Sequence, residues 1–266
     1  MVTIRRGDKG ADVMELQRLL NKHMGDIVRV DGVFGDKTLQ AVMEFQREHG
    51  LVADGIVGER TWSKLFGEPD ITKAYIYKHI THSVNRPVKY IAVHYTAGGT
   101  SKRGAALSTR NVFLSRKASA DFVVDDAEIV QINPDLRHYY CWSVGDAKNV
   151  TTGGGILYGK ATNRNTISIE ICSNLKKGAS ASHPNHHGWY YTDASLDNAV
   201  RLVKYLMRRF DVPIENVVRH YDVSGKMCPG IIGWNNARIY STDGKITSEL
   251  NNSNTWKDFK DRLKDD

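Results

Sequence analysis

The chain has 266 residues, 41% of them hydrophobic and 25% charged, with only six prolines; this composition excludes a disordered, collagen-like or coiled-coil protein. At roughly 150 residues per domain, the length allows one large domain or one ordinary and one small domain. The net charge of +7 is unevenly placed: ten basic and ten acidic side chains cancel in residues 1–67, so the whole excess lies in residues 68–266.

That excess suits a polyanionic partner, whether nucleic acid, an anionic membrane or an anionic wall polymer. The clustered Lys/Arg runs of nucleic-acid arms are absent. No window approaches the roughly 18 consecutive apolar residues of a membrane span, and Met1-Val-Thr-Ile-Arg-Arg-Gly-Asp8 lacks the apolar stretch of a secretory signal. The expectation is a protein made in the cytoplasm that does not insert into membranes. Three cysteines, an odd number, do not make a disulfide framework. Cys141 and Cys172 read as small buried hydrophobes.

In the first segment, Val13, Leu16, Leu19 and Leu20 recur at helical spacing, as do Leu39, Val42, Met43 and Phe45. Asp31-Gly-Val-Phe-Gly-Asp-Lys-Thr-Leu39 is echoed 23 residues later by Asp54-Gly-Ile-Val-Gly-Glu-Arg-Thr-Trp62. Each unit reads as an Asp-Gly turn followed by a helix, because Gly permits positive φ and Asp bonds its own backbone. The prediction is a small three-helix domain. Gly67-Glu-Pro69 opens a connector, since Pro stops a helix and Gly favours its C-cap.

Beyond the connector come short β-rich runs at Tyr90–His94, Phe122–Val124, Glu128–Ile132, Thr166–Ile171 and Asn216–His220. Asp193–Phe210 instead carries Leu196, Ala199, Val203, Leu206 and Met207 at helical spacing, with Thr192 or Asp193 as N-cap. The fold class is therefore α/β. Trp256, Phe259 and Leu263 predict a short packed terminal helix, and His183, His186 and His187 a polar surface loop.

His94 and His220 sit where β-rich runs end, and Cys228 follows eight residues later before Pro229-Gly230. Two imidazoles and a thiolate suffice for a catalytic zinc, which takes three protein ligands and keeps a fourth position open. Spacing alone leaves the alternative of hydrogen-bonded strand-end histidines. Glu170 alternates with Ile167, Ile169 and Ile171, so its carboxylate leaves one face of a strand; a solvent-facing carboxylate is the plain alternative.

The first segment resembles the peptidoglycan-binding domains that accompany many cell-wall hydrolases, in Gly10-Ala-Asp-Val-Met-Glu-Leu-Gln17 and in Asp31-Gly-Val-Phe-Gly35 followed by Thr38-Leu-Gln-Ala-Val-Met-Glu-Phe-Gln46. The segments Tyr90-Ile-Ala-Val-His-Tyr-Thr-Ala97, Thr166-Ile-Ser-Ile-Glu-Ile171 and Arg219-His-Tyr-Asp-Val-Ser-Gly-Lys-Met-Cys-Pro-Gly230 resemble those of type 2 N-acetylmuramoyl-L-alanine amidases, zinc enzymes related to the peptidoglycan recognition proteins. The resemblance implies a peptidoglycan-binding domain over 1–67, a linker over 68–87 and an amidase over 88–266, with a mixed β-sheet flanked by helices.

The resemblance further implies one zinc ion on His94, His220 and Cys228. Glu170 would be the general base and Lys226 the stabiliser of the oxyanion. The reaction implied is hydrolysis, by a zinc-activated water, of the amide joining the lactyl group of N-acetylmuramic acid to L-alanine. Asp222 reads as a buttress of a metal ligand or of the loop rather than as a reacting group. Two departures stand out: Ala120-Asp121 occupies a stretch where some relatives place a tyrosine or histidine, and Ser143 stands where histidine is common. Tyr140 and Trp142 read as core or as substrate contacts. The two-domain arrangement is like that of phage endolysins. A non-catalytic peptidoglycan-recognition protein, and a wall hydrolase cutting another bond, are the alternatives.

Overall fold

A computed structural model describes residues 2–145, 154–179, 188–230 and 255–264, together with the backbone of 237–240 and 246–250. The chain divides into two compact units, Met1–Glu68 and Pro69–Asp266.

The first unit holds helices α1 (Ala11–Met24), α2 (Asp36–Glu48) and α3 (Glu59–Leu65) around Val13, Leu16, Leu20, Val42, Phe45, Trp62 and Leu65. The internal echo has a physical cause. Gln17 of α1 is buried; its Oε1 accepts the Gly32 amide at 2.8 Å, and its Nε2 donates to Asp31 Oδ1 at 2.9 Å and to Thr38 Oγ1 at 3.3 Å. Gln46 of α2 repeats the pattern on Gly55, Asp54 and Thr61 at 2.9, 3.0 and 3.2 Å. Each Asp in turn accepts the amide two residues on. The glycines hold φ of +71° and +70°, and a Cβ on Gly55 would lie 2.2 Å from Leu39 Cδ1. Both Asp-Gly turns are thus clamped to the preceding helix by a buried amide.

The second unit runs β1 (Ile71–Lys73), β2 (Ile80–His82), β3 (Tyr90–Tyr95), α4 (Ala105–Val112), β4 (Phe122–Val124), β5 (Ile129–Gln131), β6 (Tyr139–Cys141), β7 (Thr166–Ile171), β8 (Asn174–Leu175), β9 (Trp189–Tyr190), α5 (Asp193–Phe210), β10 (Val217–Arg219), α6 (His220–Ser224), β11 (Ala237–Tyr240), β12 (Ile246–Leu250) and α7 (Thr255–Asp261). Six strands form one mixed sheet in the order β1-β5-β4-β7-β3-β10. All its neighbours are parallel except β4 and β5. The central strands read as apolar runs because they are covered on both faces. Ile91, Val93, Ile167, Ile169 and Ile171 take one face; Ala92, His94, Ser168 and Glu170 take the other. Helix α5, capped by the Thr192 side chain, packs across β3, β4, β5 and β7. Helix α4 packs on β4 and β5.

The stretch expected as a linker is largely built into this unit. Residues 71–73 pair with β5, Ile76 is buried, and β2 pairs with β6. Three-residue strands carry too little periodicity to register, and their partners lie about 60 residues away in sequence. Within the same stretch, Arg86 is 4% exposed and forks onto Asp121 at 2.7 and 3.1 Å. Asp121 also accepts from Asn133 Nδ2 and from the Ser168 amide on β7. The departure at Ala120-Asp121 is therefore structural: this carboxylate ties β7 to the floor of the fold.

All three cysteines are free and buried. Trp256 and Phe259 on α7 and Leu263 in the turn after it are buried, so the expected packing is present although the helix ends at Asp261. His183, His186 and His187 lie outside the described residues. No helix among the described residues is long and apolar enough to cross a membrane.

Candidate metal centre

Strands β7, β3 and β10 are parallel neighbours, so their C-terminal ends open at one edge of the sheet, the usual place for a site in such folds. His94 ends the buried part of β3. Glu170 is its register partner on β7. His220 follows β10 as the first residue of α6, where the sequence pattern had extended the strand. The turn into α6 is fixed by Asp222, whose carboxylate accepts from the Arg219 amide at 2.9 Å and pairs with its guanidinium at 2.6 Å. Asp222 thus buttresses the loop rather than an imidazole. After α6 the chain returns Cys228, whose carbonyl accepts the Tyr221 amide at 3.0 Å. The Tyr191 hydroxyl donates to the Pro229 carbonyl at 2.6 Å and holds the segment down.

The metal-ligating atoms of His94, His220 and Cys228 all lie within 4.8 Å of one another, and all three residues are buried. The two imidazoles meet edge to face with centroids 4.5 Å apart. His220 Nε2 lies 3.1 Å from the Val144 carbonyl; a carbonyl only accepts, so Nε2 carries the proton and Nδ1 keeps a free lone pair. Asn163 Oδ1 holds the Val144 and Ser143 amides at 2.9 Å and so positions that carbonyl. Neither Asn163 nor Val144 was marked by the sequence, because a backbone acceptor leaves no trace in residue type.

Three buried polar atoms at the site have no hydrogen-bond partner: His94 Nε2, His220 Nδ1 and Glu170 Oε2. Unpaired buried groups of this kind are rare and call for an explanation such as an ion. Burial pushes His220 down to about 3, and burial with the neighbouring imidazole pushes His94 well below its ordinary value. Both are neutral, as metal ligands must be. Burial also raises the Cys228 thiol; a cation bound at the sulfur would reverse that. Two neutral imidazoles, each with an unpaired buried ring nitrogen, and a thiol on one small pocket fit a metal ion. Burial likewise raises Glu170 to about 7, with Lys226 and Arg116 opposing the rise. Lys226 itself is exposed at the mouth of the site. All five residues singled out in the sequence therefore converge.

Trp142 is 42% exposed and Tyr140 is half-buried, so both stand in the cleft beside the site and outside the core. Ser143 bonds Ser168 on β7 and lines the same cleft.

Residues 84–231, more than half of the chain, match the N-acetylmuramoyl-L-alanine amidase family, and residues 9–65 match a family of peptidoglycan binding domains. The chain belongs to the N-acetylmuramoyl-L-alanine amidase family. It is similar to the N-acetylmuramoyl-L-alanine amidase CwlA of Bacillus sp, 32% identical over 150 residues covering 56% of this chain and 51% of that protein. It is also similar to the N-acetylmuramoyl-L-alanine amidase XlyB of Bacillus subtilis, 30% identical over 163 residues covering 61% and 43%. Among solved structures it resembles PlyL at 28% identity and a TM-score of 0.42, covering 60% of this chain and 87% of that one. The chain spans about half the length, or less, of the curated relatives it matches.

Proposed function

We propose that the second unit hydrolyses the amide between the lactyl group of N-acetylmuramic acid and L-alanine in peptidoglycan, while the first unit holds the chain on the bacterial wall. The observation that carries this reading is the convergence of three metal-ligating atoms within 4.8 Å, beside a buried carboxylate with an unpaired oxygen. Family membership supplies the bond. His94, His220 and Cys228 would hold one zinc ion, which when bound supplies Lewis acidity toward an amide carbonyl and lowers the pKa of water to about 7.

The remaining work belongs to side chains of this chain. Glu170 is rigid on β7, and its raised pKa suits a group that takes a proton from the attacking water and returns it to the leaving L-alanine nitrogen near neutral pH. Lys226 places a positive charge in the same cleft as His220, where it offsets charge developing on the amide oxygen. Holding the wall through a separate unit raises the local substrate concentration without new catalytic contacts.

The test is digestion of purified peptidoglycan with and without a chelator. Chelator-sensitive release of new L-alanine amino termini is expected. Wall binding without new termini would favour a recognition protein; new termini elsewhere in the stem peptide, or new reducing ends, would favour a hydrolase of another bond.

A further inference from the structure

Helix α7, near the end of the chain, is attached to the strand and turn that carry His220. Strand β10 is three residues long and forms one edge of the six-stranded sheet, where it pairs with β3 alone. His220 follows it directly. Native folds cover such an edge with a helix or loop. The cover has a second consequence here, because the ligand at the end of this strand must meet those of His94 and Cys228 within 4.8 Å, and a site of that kind tolerates displacements of only about 0.5 Å.

Two side chains of α7 reach this element. Lys260 is half-buried, and its ammonium donates to the Val217 carbonyl on β10 at 2.7 Å and to the Ile214 carbonyl in the turn before it. The charges of Asp222 and Glu215 act on the same ammonium. Trp256 is buried, with its ring centroid 5.8 Å from the guanidinium carbon of Arg219, which also lies 5.0 Å from the Tyr221 ring. Arg219 is the residue whose amide and guanidinium pair with Asp222 and so set the turn into α6. A guanidinium at this distance from an aromatic ring is attracted to it, and an ammonium makes stronger hydrogen bonds to carbonyls than a neutral donor does. Just past α7, Arg262 pairs with Asp197 of α5 and Leu263 is buried, so the segment has anchors other than its contacts to Arg219 and Val217.

We propose that Trp256 and Lys260 are positioning residues of the metal centre: Trp256, through the Arg219–Asp222 pair, and Lys260, through the Val217 carbonyl, hold β10 and the turn into α6 where His220 can share a metal ion with His94 and Cys228. This rests on the metal-centre reading above. It makes zinc affinity depend on a helix that begins 27 residues after Cys228 in sequence and supplies no ligand itself.

The test uses the full chain, stripped of metal and titrated with zinc against a chromophoric chelator well below the Tm of each variant. Cobalt(II) is then bound in place of zinc, so that its visible absorption reads the ligand geometry. Trp256→Ala and Lys260→Met should each weaken zinc binding about tenfold, the low end of what groups behind the ligands contribute, and should shift the cobalt bands. Leu263→Ala removes buried packing just past α7 and leaves Trp256 and Lys260 in place; it should lower the Tm with zinc affinity and cobalt spectrum as in wild type. Wild-type affinity and spectrum in Trp256→Ala and Lys260→Met, whatever their Tm, overturn the proposal and leave α7 a stabilising element alone. An equal loss of zinc affinity in Leu263→Ala also overturns it, since the effect would then follow loosened packing rather than these two contacts. Should Trp256→Ala fail to fold, Lys260→Met carries the test, because it keeps an unbranched apolar side chain and removes only the donor. Wild type that binds no zinc sinks the metal-centre reading itself, which separates the two failures.

Discussion

His94 and Glu170 are paired in register on the parallel strands β3 and β7. Their side chains leave the same face of the sheet at its C-terminal edge, and each bears a buried atom without a hydrogen-bond partner. The proposed metal ligand and the proposed general base are thereby set side by side by backbone pairing rather than by flexible loops.

Glu170→Gln preserves shape and removes the ionisable oxygen. It should lower kcat by about 10²- to 10⁴-fold, the usual contribution of a positioned acid or base. Zinc content, measured by atomic absorption on the same preparation, should stay at the wild-type level because the three ligand atoms are untouched.

Without a metal, His94 Nε2 and His220 Nδ1 are buried and unpaired. A ligand bound only by the folded state stabilises it, so a chelator should lower the Tm of the wild-type protein. Cys228→Ser and His220→Ala should hold little zinc and show almost no chelator shift. A variant that melts like wild type in both conditions would remove these residues from the ligand set.

The metal-free protein should carry a pH signature of Glu170. Burial holds the folded group near 7, whereas its ordinary value is 4.5. Between those values the unfolded chain binds fewer protons than the folded one, so this group lowers stability as pH rises from about 4.5 to 7. His220, held down to about 3, acts in the opposite sense and adds stability as pH rises toward 6.5. Subtracting Glu170→Gln from wild type in urea titrations isolates the first effect: the difference should decline across pH 4.5 to 7. A flat difference would contradict the burial of this carboxylate.

Arg86→Met should destabilise the second unit by about 3–5 kcal/mol, because it strands a fully buried Asp121 without its guanidinium partner. Arg86→Lys should rescue little, since one ammonium cannot reproduce a fork that spans both carboxylate oxygens. Urea midpoints measure both.

The parts legible in the sequence are those whose signal is local. Strands β3 and β7 are six-residue apolar runs in the middle of the sheet, and α5 is five turns with a clear apolar stripe. The Asp-Gly echo exposed both turns, but not the glutamines that clamp them, since Gln17 and Gln46 look like ordinary helical polar residues. His94, Glu170, Lys226, His220 and Cys228 were marked by motif; their convergence depends on a sheet order no spacing reveals. The Arg86–Asp121 pair spans 35 residues and falls in a stretch that reads as connector. Lys117 and Arg164 are single surface cations in sequence and become one cleft wall only in the fold.

The most direct test of the central claim is mass analysis of the fragments released from purified peptidoglycan by the zinc-loaded chain. The account predicts intact glycan strands bearing free lactyl carboxylates and complete stem peptides that begin with L-alanine, both lost on addition of chelator. Fragments with new reducing ends, or stems cut beyond L-alanine with the lactyl amide intact, would contradict it.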